Sequence, residues 1–382
     1  MDLLIKERKI PLLCRAVRSS SRSGIEGPST QPSVRTGDRS MTFPLTGTAA
    51  RGLTKEEIIQ TIRPKLRRVL IVLNNKGGAG KTTTTANISA QLAAALYEAG
   101  STKRVLALDL DPQGNLGLDL GYQGRPGDDE GQSVINVVEG TGPLHILRDV
   151  RPHLDVVPGG KVLKRTTASI IGTRSIDPRR EILLSLAQAL AEVASDYEWI
   201  LIDCPPNIAD LQHLAAVSAE YVLIPVCFDQ GAIQGLEGVS EVFDVATPLN
   251  PALTPLGVLL FGFDRQHLRK VKDEEGGVIG VREIGFLAKK RREIEGVLAD
   301  SGIPIFQTVI TRAVNVADQC RKHGRVFAEL ADLSAGPDWK KHAKQHQLTL
   351  SSESAETSAI EMEEATAEII RRALALEAEA YA

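Results

Sequence analysis

A glycine-rich segment that carries two lysines and two threonines is the part of the sequence best suited to hold a phosphate group. It follows an apolar run, precedes a helical pattern, and reads Asn75-Lys76-Gly77-Gly78-Ala79-Gly80-Lys81-Thr82-Thr83. A buried strand, a glycine-rich turn and a helix N-terminus together point backbone N–H groups at an anion. Lys81 is placed to reach the β- and γ-phosphates of a nucleotide, and the Thr82 hydroxyl to take a Mg²⁺ position. We therefore predict a nucleotide-binding loop whose contacts run from Lys76 to Thr83.

Three aspartates at strand ends are the candidate metal-binding and catalytic acids. One apolar stretch ends in Asp109, with Asp111 two residues later, and another ends in Asp203. Side chains alternate along a strand, so Asp109 and Asp111 should share one face beside the phosphate loop. Asp203 is placed to hold Mg²⁺ directly or through water. A single acid at a strand end is commonly a helix cap or a solvated group, but three beside a phosphate loop favour a metal site.

Strand and helix patterns alternate along the chain from residue 69 onward. Strands are predicted at 69–74, 104–109, 154–157, 199–203, 221–226, 256–262 and 305–310, and helices at 81–99, 180–195, 207–219 and 234–246. This alternation predicts an α/β fold in which a mostly parallel sheet is covered by helices on both faces. The glycines that follow the strand at 221–226, namely Gly231, Gly235 and Gly238, are predicted as turn and close-packing residues.

The motifs at these places resemble those of one family. KGGAGKTTTTANIS, LDLDPQGN and ILIDCPP, with VLIPVCFDQGAIQGLEGV further on, resemble the ParA/Soj/MinD ATPases, which carry a deviant Walker A box. The resemblance covers about residues 68 to 330 and is closest to the ParA-type chromosome and plasmid partitioning ATPases. Two positions depart mildly from the family pattern. Ala79 replaces the usual valine, and Cys204 follows Asp203, which is the Walker B acid in this resemblance.

The resemblance implies cofactors, an assembly and roles for single residues. It implies Mg²⁺ and ATP, and an ATP-dependent homodimer in which Lys76 reaches the partner's nucleotide. It also implies that Asp111 positions the attacking water and that Asp109 lies near the Mg²⁺ shell. The family's Pro-Arg near the adenine matches Thr311 and Arg312 here, so Arg312 is the candidate adenine contact at a position that lacks the proline.

The composition excludes several classes of protein. Hydrophobic residues make up 42% of the chain, which suffices for a core, while 4% aromatic residues disfavour recognition by stacked rings. The four cysteines form no C-x-x-C pair, which argues against an iron–sulfur site and suggests a reducing compartment. No apolar run approaches about 18 residues. Residues 331–382 are acidic and therefore a poor membrane anchor. We expect a cytoplasmic, nucleoid-associated protein that binds no membrane.

The rest of the chain divides into short segments. Residues 1–50 are predicted as a disordered basic extension, for which a transit peptide or a true translation start at Met41 are alternative interpretations. Residues 51–67 are predicted as a short helix because Thr54 and Glu57 form a capping box. There follow an ATPase domain at 68–334 with a charged insertion at about 264–302, a polar spacer at 335–357 and a C-terminal helix at 358–382.

A basic stretch inside an acidic chain is the candidate DNA-binding surface. The formal net charge is −3, yet residues 263–325 hold 13 basic and 9 acidic residues. A positive patch on an otherwise acidic protein is typical of binding to a phosphate backbone. A charge run is otherwise usually a solvated helix face, and this alternative applies above all to the run Lys289–Arg292. The predicted DNA contacts are Arg312, Arg321, Lys322 and Arg325.

These expectations combine into one hypothesis and two alternatives. The hypothesis is a Mg²⁺-dependent ATPase of weak basal activity that dimerises on ATP, binds DNA non-specifically and partitions a plasmid or chromosome with a ParB-like partner. A ParA-like ATPase that positions protein cargo is the first alternative, and a lack of DNA binding would favour it. A metabolic P-loop enzyme, such as an ATP-dependent ligase, is the second. It predicts no ATP-driven dimer, and the position of Lys76 argues against it.

Overall fold

The computed structural model describes residues 54–176, 181–227, 232–272, 278–336 and 352–380, with residues 339 and 344, and an eight-stranded sheet lies at its centre. The predicted extension at 1–50 and most of the predicted spacer at 335–357 lie outside the described residues. The strands in chain order are β1 (Val69–Val72), β2 (Arg104–Asp109), β3 (Leu147–Arg151), β4 (Leu154–Val157), β5 (Tyr197–Asp203), β6 (Tyr221–Cys227), β7 (Thr254–Phe263), β8 (Leu268–Lys272), β9 (Val278–Glu283) and β10 (Ile305–Thr311).

The sheet is parallel except at one edge. Its strand order is β10-β7-β6-β1-β5-β2-β4-β3, and only β3 pairs with its neighbour in the antiparallel sense. β1 is buried along its whole length, as expected for a continuous apolar run in a parallel sheet that is covered on both faces. Strands β8 and β9 form a separate antiparallel hairpin.

Helices cover both faces of the sheet. Those described are α1 (Lys55–Ile62), α2 (Lys81–Glu98), α3 (Asn115–Asp119), α4 (Gln132–Glu139), α5 (Thr166–Ile176), α6 (Ser185–Val193), α7 (Ala209–Ser218), α8 (Ala232–Ala246), α9 (Gly285–Leu298), α10 (Val314–His323), α11 (Phe327–Ala335) and α12 (Ser352–Ala380). One hydrophobic core holds residues of α1 and α4 to α9, and the other holds residues of α2, α3 and α10 to α12. The predicted α/β fold class is confirmed.

The differences from the predicted elements have local causes. Strand β3 was not predicted because it is a half-exposed edge strand of mixed sequence. The predicted charged insertion contains the hairpin β8–β9 and helix α9. The C-terminal helix begins at Ser352, six residues before the predicted start, because its first turns are polar. The capping box of Thr54 and Glu57 is present, with both reciprocal hydrogen bonds formed.

Helix α12 lies along β10, an edge strand of the sheet, and caps its unpaired backbone groups. The Glu368 carboxylate accepts hydrogen bonds from the N–H groups of Gln307 (2.7 Å) and Thr308 (2.9 Å). Glu361 accepts from the Thr311 N–H at 2.8 Å and from its hydroxyl. An open strand edge invites pairing with another chain. The two carboxylates therefore close this edge.

No helix of the described segments is long and apolar enough to cross a membrane.

Replacing Glu361 by alanine should destabilise the protein. The change removes the acceptor of the buried Thr311 N–H and hydroxyl, and leaving a buried donor unpaired costs about 1–3 kcal/mol. Urea titration should show a lower free energy of unfolding by that amount. Glu379→Ala, at an exposed position of the same helix, is the matched control. Equal stability of the two variants would contradict this role of Glu361.

Candidate nucleotide-binding site

The loop between β1 and α2 has the backbone shape of a phosphate cradle. Gly78 and Gly80 have φ of 74° and 85°, in the left-handed region that favours glycine. A Cβ added at Gly80 would lie 2.6 Å from the ring of Phe261, so only glycine fits there. Gly80 is the N-cap of α2 and offers no side chain to the first N–H groups of the helix. These N–H groups and the helix dipole are therefore open to an anion.

Two asparagines at the end of β1 hold the loop in place. The Lys76 N–H donates to Asn74 Oδ1 at 2.8 Å, and Asn74 Nδ2 donates to the carbonyl of Pro225 at 2.7 Å. Gln212 Nε2 donates to Asn75 Oδ1 at 2.8 Å. The sequence pattern did not identify Gln212, because it lies 137 residues from Asn75 along the chain. The loop is thus braced from two neighbouring elements.

Helix α8 approaches the same asparagines through its glycines. A Cβ at Gly235 would lie 2.5 Å from Asn74 Oδ1, and one at Gly238 would lie 1.9 Å from Asn75 Nδ2. Close packing at Gly235 and Gly238 is confirmed, within a helix and not in a turn, while Gly231 lies outside the described residues. A larger residue at either position would push α8 away from the loop.

Lys81 points into the curve of the loop. Its side chain is buried, and Nζ donates to the carbonyl of Lys76 at 2.8 Å. Burial lowers the pKa of Lys81, although the nearby Asp203 and Asp111 act in the opposite direction. Lys76 is half-buried in the same turn. An ammonium group that is largely removed from water gains most from an anionic partner, so the cradle suits a phosphate.

Thr82 and Asp203, two of the three residues predicted at the Mg²⁺ site, are in contact. Thr82 Oγ1 donates to Asp203 Oδ2 at 2.7 Å, and Asp203 is fully buried. Burial raises the pKa of Asp203 to about 7, against the effects of the Thr82 hydrogen bond and of Lys81. In the described part of the chain its second oxygen, Oδ1, is buried without a hydrogen-bond partner. An unpartnered carboxylate oxygen next to a hydroxyl fits a hard divalent cation.

The protein supplies few ligands for such a cation. Among the described residues no group of three or more His, Cys, Asp or Glu side chains could hold a metal ion. Mg²⁺ commonly takes one or two protein oxygens and completes its shell with phosphate and water. The pair Thr82 and Asp203 fits that mode of binding.

Asp109 and Asp111 organise the turn that follows β2. Asp109 is fully buried, and its two oxygens accept the N–H groups of Asp111 (2.8 Å) and Leu116 (3.2 Å). Burial, with the charge of Asp203 nearby, raises the pKa of Asp109. Because β2 ends at Asp109, Asp111 lies in the turn and the predicted sharing of a strand face does not apply. Asp111 accepts the Gln113 N–H at 2.8 Å.

The predicted basic contacts lie at the two ends of helix α10. Arg312 precedes the helix and is exposed, and its backbone N–H donates to the Phe263 carbonyl. Lys322 is exposed in the last turn, and Arg325 is half-buried just beyond it. Arg321 is instead ion-paired with Asp119 at 2.8 Å. The ends of a ten-residue helix are about 15 Å apart, so Arg312 is separate from the other cations.

The weaker basic cluster at Lys289–Arg292 is partly neutralised. Lys290 is buried and pairs with Glu293 at 2.8 Å. Arg291 pairs with Glu283 of β9 and donates to the carbonyl of Phe306. Lys290 and Arg291 are therefore packed and paired, whereas Lys289 and Arg292 are exposed, as the alternative of a solvated helix face predicts.

Comparisons with known proteins show which proteins this chain is similar to. The AAA domain family model matches residues 67–254. The chain is 31% identical over 277 residues to the chromosome-partitioning ATPase Soj of Thermus thermophilus, covering 72% of this chain and 92% of that protein. It is 34% identical over 201 residues to the chromosome partitioning protein ParA of Myxococcus xanthus, covering 52% of this chain but 65% of the relative. Apo McdA of Cyanothece, at 19% identity, covers 74% of this chain and 98% of its own with a TM-score of 0.54, and it shows the fold alone.

Lys81→Ala should abolish binding of Mg-ATP. The change removes the positive charge inside the cradle and leaves the phosphate charges to repel the neighbouring carboxylates. Calorimetric titration of the variant should give no measurable heat of binding. Lys55→Ala, an exposed lysine of α1, is the control and should bind as the unaltered protein does. Near-normal affinity of Lys81→Ala would contradict the assignment of this loop.

Proposed function

The chain belongs to the ParA/Soj/MinD family of P-loop ATPases, and we propose that it is a Mg²⁺-dependent, ParA-type ATPase that partitions a plasmid or chromosome. It dimerises on ATP, binds DNA without sequence preference and acts in the cytoplasm at the nucleoid. The observation that carries the proposal is the meeting of Lys81, Thr82 and Asp203 at one point beside the turn of Asp111. The relatives named as partitioning proteins support the cellular role.

In this proposal the chain holds ATP and orients water. The N–H groups of the loop and Lys81 would bind the phosphates, and Thr82 and Asp203 would hold Mg²⁺, which when bound would neutralise phosphate charge. Asp111, on the neighbouring turn, orients the attacking water. Positioning and charge stabilisation are most of what phosphoryl transfer needs from a protein. The adenine contact of Arg312 and a place for Asp109 near the Mg²⁺ shell remain parts of the proposal.

Dimerisation on ATP is supported by the rim of the cradle. Gly77 and Gly78 are exposed, so the backbone on that side is accessible to a second copy. Lys76 stands at the start of this rim and in a two-fold dimer would reach the partner's phosphates. A charge supplied across the interface makes the dimer dependent on the nucleotide, since the phosphates offset the repulsion between the two copies.

DNA binding is assigned in this proposal to Lys322, Arg325 and Arg312. A ParB-like partner is assigned the separate role of triggering ATP hydrolysis. Lys322 and Arg325 lie together at the end of α10 and project charge from an acidic chain. Two or three cations in one copy give a weak contact with phosphates, and a dimer doubles their number. Hydrolysis that breaks the dimer would therefore release the DNA.

Lys76→Ala and Asp111→Ala should separate dimerisation from hydrolysis. Lys76→Ala should bind ATP but neither dimerise nor hydrolyse it, because the charge offered to the partner's nucleotide is missing. Asp111→Ala should bind and dimerise but lose at least about a hundredfold in turnover, a typical effect of losing the group that handles the proton or water. Sedimentation velocity with ATP, beside a phosphate-release assay, measures both properties.

Glu56→Ala, at an exposed acid of α1, controls for a general effect of lost charge. An Asp111→Ala protein with normal turnover would transfer the catalytic role to another group. A Lys76→Ala protein that still dimerises with ATP would remove the proposed contact across the interface.

Lys322→Glu combined with Arg325→Glu should weaken DNA binding to all sequences alike. Each lost phosphate contact should flatten the log–log dependence of affinity on salt by about 0.9. Fluorescence anisotropy with two unrelated duplexes across a salt series measures this slope. The double change Lys164→Glu and Arg174→Glu carries the same charge difference at exposed positions of the other face. An unaltered slope in the first variant, or an equal loss in the second, would place DNA binding elsewhere.

A further inference from the structure

Helix α10 is joined to the catalytic turn by an ion pair. The helix packs against α3, the short helix that directly follows the turn of Asp111. Arg321 Nε lies 2.8 Å from Asp119 Oδ1, and the Asp119 side chain is 8% exposed. A second guanidinium nitrogen, Arg321 Nη2, lies 3.5 Å from Asp119 Oδ2. Breaking such a pair would leave a largely buried carboxylate without its partner, a strongly unfavourable change.

Two further contacts reinforce the ion pair. Gly121 and Gly324 have φ of 73° and 59°, and a Cβ at Gly324 would lie 2.4 Å from Gly121 Cα, so the two backbones touch. Arg151 donates to the carbonyls of Leu120 (3.0 Å) and Gly324 (3.2 Å). We name the group of Asp119, Arg321, Gly121, Gly324 and Arg151 the clasp. It ties the segment after α3 to the end of α10.

The clasp continues into the turn through hydrogen bonds to Asp109. This carboxylate accepts the N–H groups of Asp111 and Leu116, so it fixes the start of the turn and the start of α3 together. Asp119 ends α3 and is held by Arg321. Both ends of α3 are thus held by side chains, one by Asp109 and the other by Arg321, so a shift of α10 would act on the backbone that carries Asp111.

We propose that Arg321 is a positioning residue for ATP hydrolysis, which couples the turn of Asp111 to the helix that presents Lys322 and Arg325 to DNA. This inference rests on the proposed function. It reassigns Arg321, which the sequence placed among the DNA contacts. In the proposed function Lys322 and Arg325 contact phosphates, while the guanidinium of Arg321, a side chain that is 41% exposed, is held by Asp119. Coupling between two binding sites is reciprocal in free energy, so DNA at α10 changes the affinity for nucleotide by the same factor as nucleotide changes the affinity for DNA.

Steady-state kinetics of Arg321→Ala and Asp119→Asn test the positioning role. The hydrogen bonds of Asp119, Arg151 and Arg321 join the end of α3 to α10 and α11. KM for ATP should therefore stay within about twofold while kcat falls about tenfold, the scale expected when a reacting group is slightly misplaced. The double variant should be no worse than either single one, because both act through one contact. Arg321→Lys keeps the charge and should recover part of kcat. Asn315→Ala, exposed on α10, is the control.

A salt series with duplex DNA separates coupling from direct contact. Arg321→Ala should keep the salt slope of the unaltered protein but lose at least about half of the logarithmic gain in affinity that ATP confers. A slope flattened by about 0.9 with unchanged kcat would make Arg321 a phosphate contact and overturn the inference. Additive losses in the double variant would also overturn it.

A failure of the proposed function gives results that differ from those of a failure of the clasp. If the unaltered protein hydrolyses ATP without binding DNA, the partitioning role fails and the kcat comparison still decides on the clasp. If it does not hydrolyse ATP, amide hydrogen exchange decides. Exchange should rise in residues 109–121 and 314–326 together in Arg321→Ala, and not in Asn315→Ala. Unchanged exchange in both segments would reject the clasp.

Discussion

The buried Asp203 carboxylate at the end of β5 is the interaction on which the rest of the site depends. Without a partner it is costly to ionise, and Thr82 and Lys81 supply the nearby donor and positive charge that offset this cost. Thr82 contacts this carboxylate and Lys81 lies near it because the glycine loop brings the start of α2 to the end of β5. Asn74, Asn75 and the glycines of α8 fix that turn. The site is thus a balance of buried charges that a Mg²⁺–phosphate group completes.

One face of the sheet links this site to distant surfaces. Helix α2 leads away from the loop and its Asn87 accepts the N–H of Phe327 in α11 at 2.8 Å. Gln91, one turn further on, accepts the hydroxyl of Thr366 in α12. Helices α3 and α10 belong to the same hydrophobic core. Packed cores transmit displacement since they have few voids, so the proposed coupling between the nucleotide site and the end of α10 would run through this face.

The sequence predicts those features that depend on neighbouring residues. The phosphate loop, the strand ends and the capping box at Thr54 follow from local spacing, and the structure has them where expected. The remaining features depend on contacts between distant residues. Gln212 braces Asn75 from 137 residues away, and Asp119 meets Arg321 across 202 residues. A count of charges cannot distinguish a paired arginine from an exposed one, and so Arg321 was grouped with Lys322.

For the DNA binding proposed above, the charge on α10 suits regulated binding better than tight binding. With Arg321 held by Asp119, each copy presents two adjacent cations at the end of the helix and a third about 15 Å away. Non-specific affinity for DNA rises with each neutralised phosphate, so under the proposed function one copy would bind DNA weakly and two linked copies far more tightly. A more basic helix would hold DNA as a monomer, and nucleotide would then have little effect. In the proposed function, the acidic composition of the chain and the pairing of Arg321 with Asp119 both keep the affinity of one copy for DNA low, so that DNA binding would depend on the dimer.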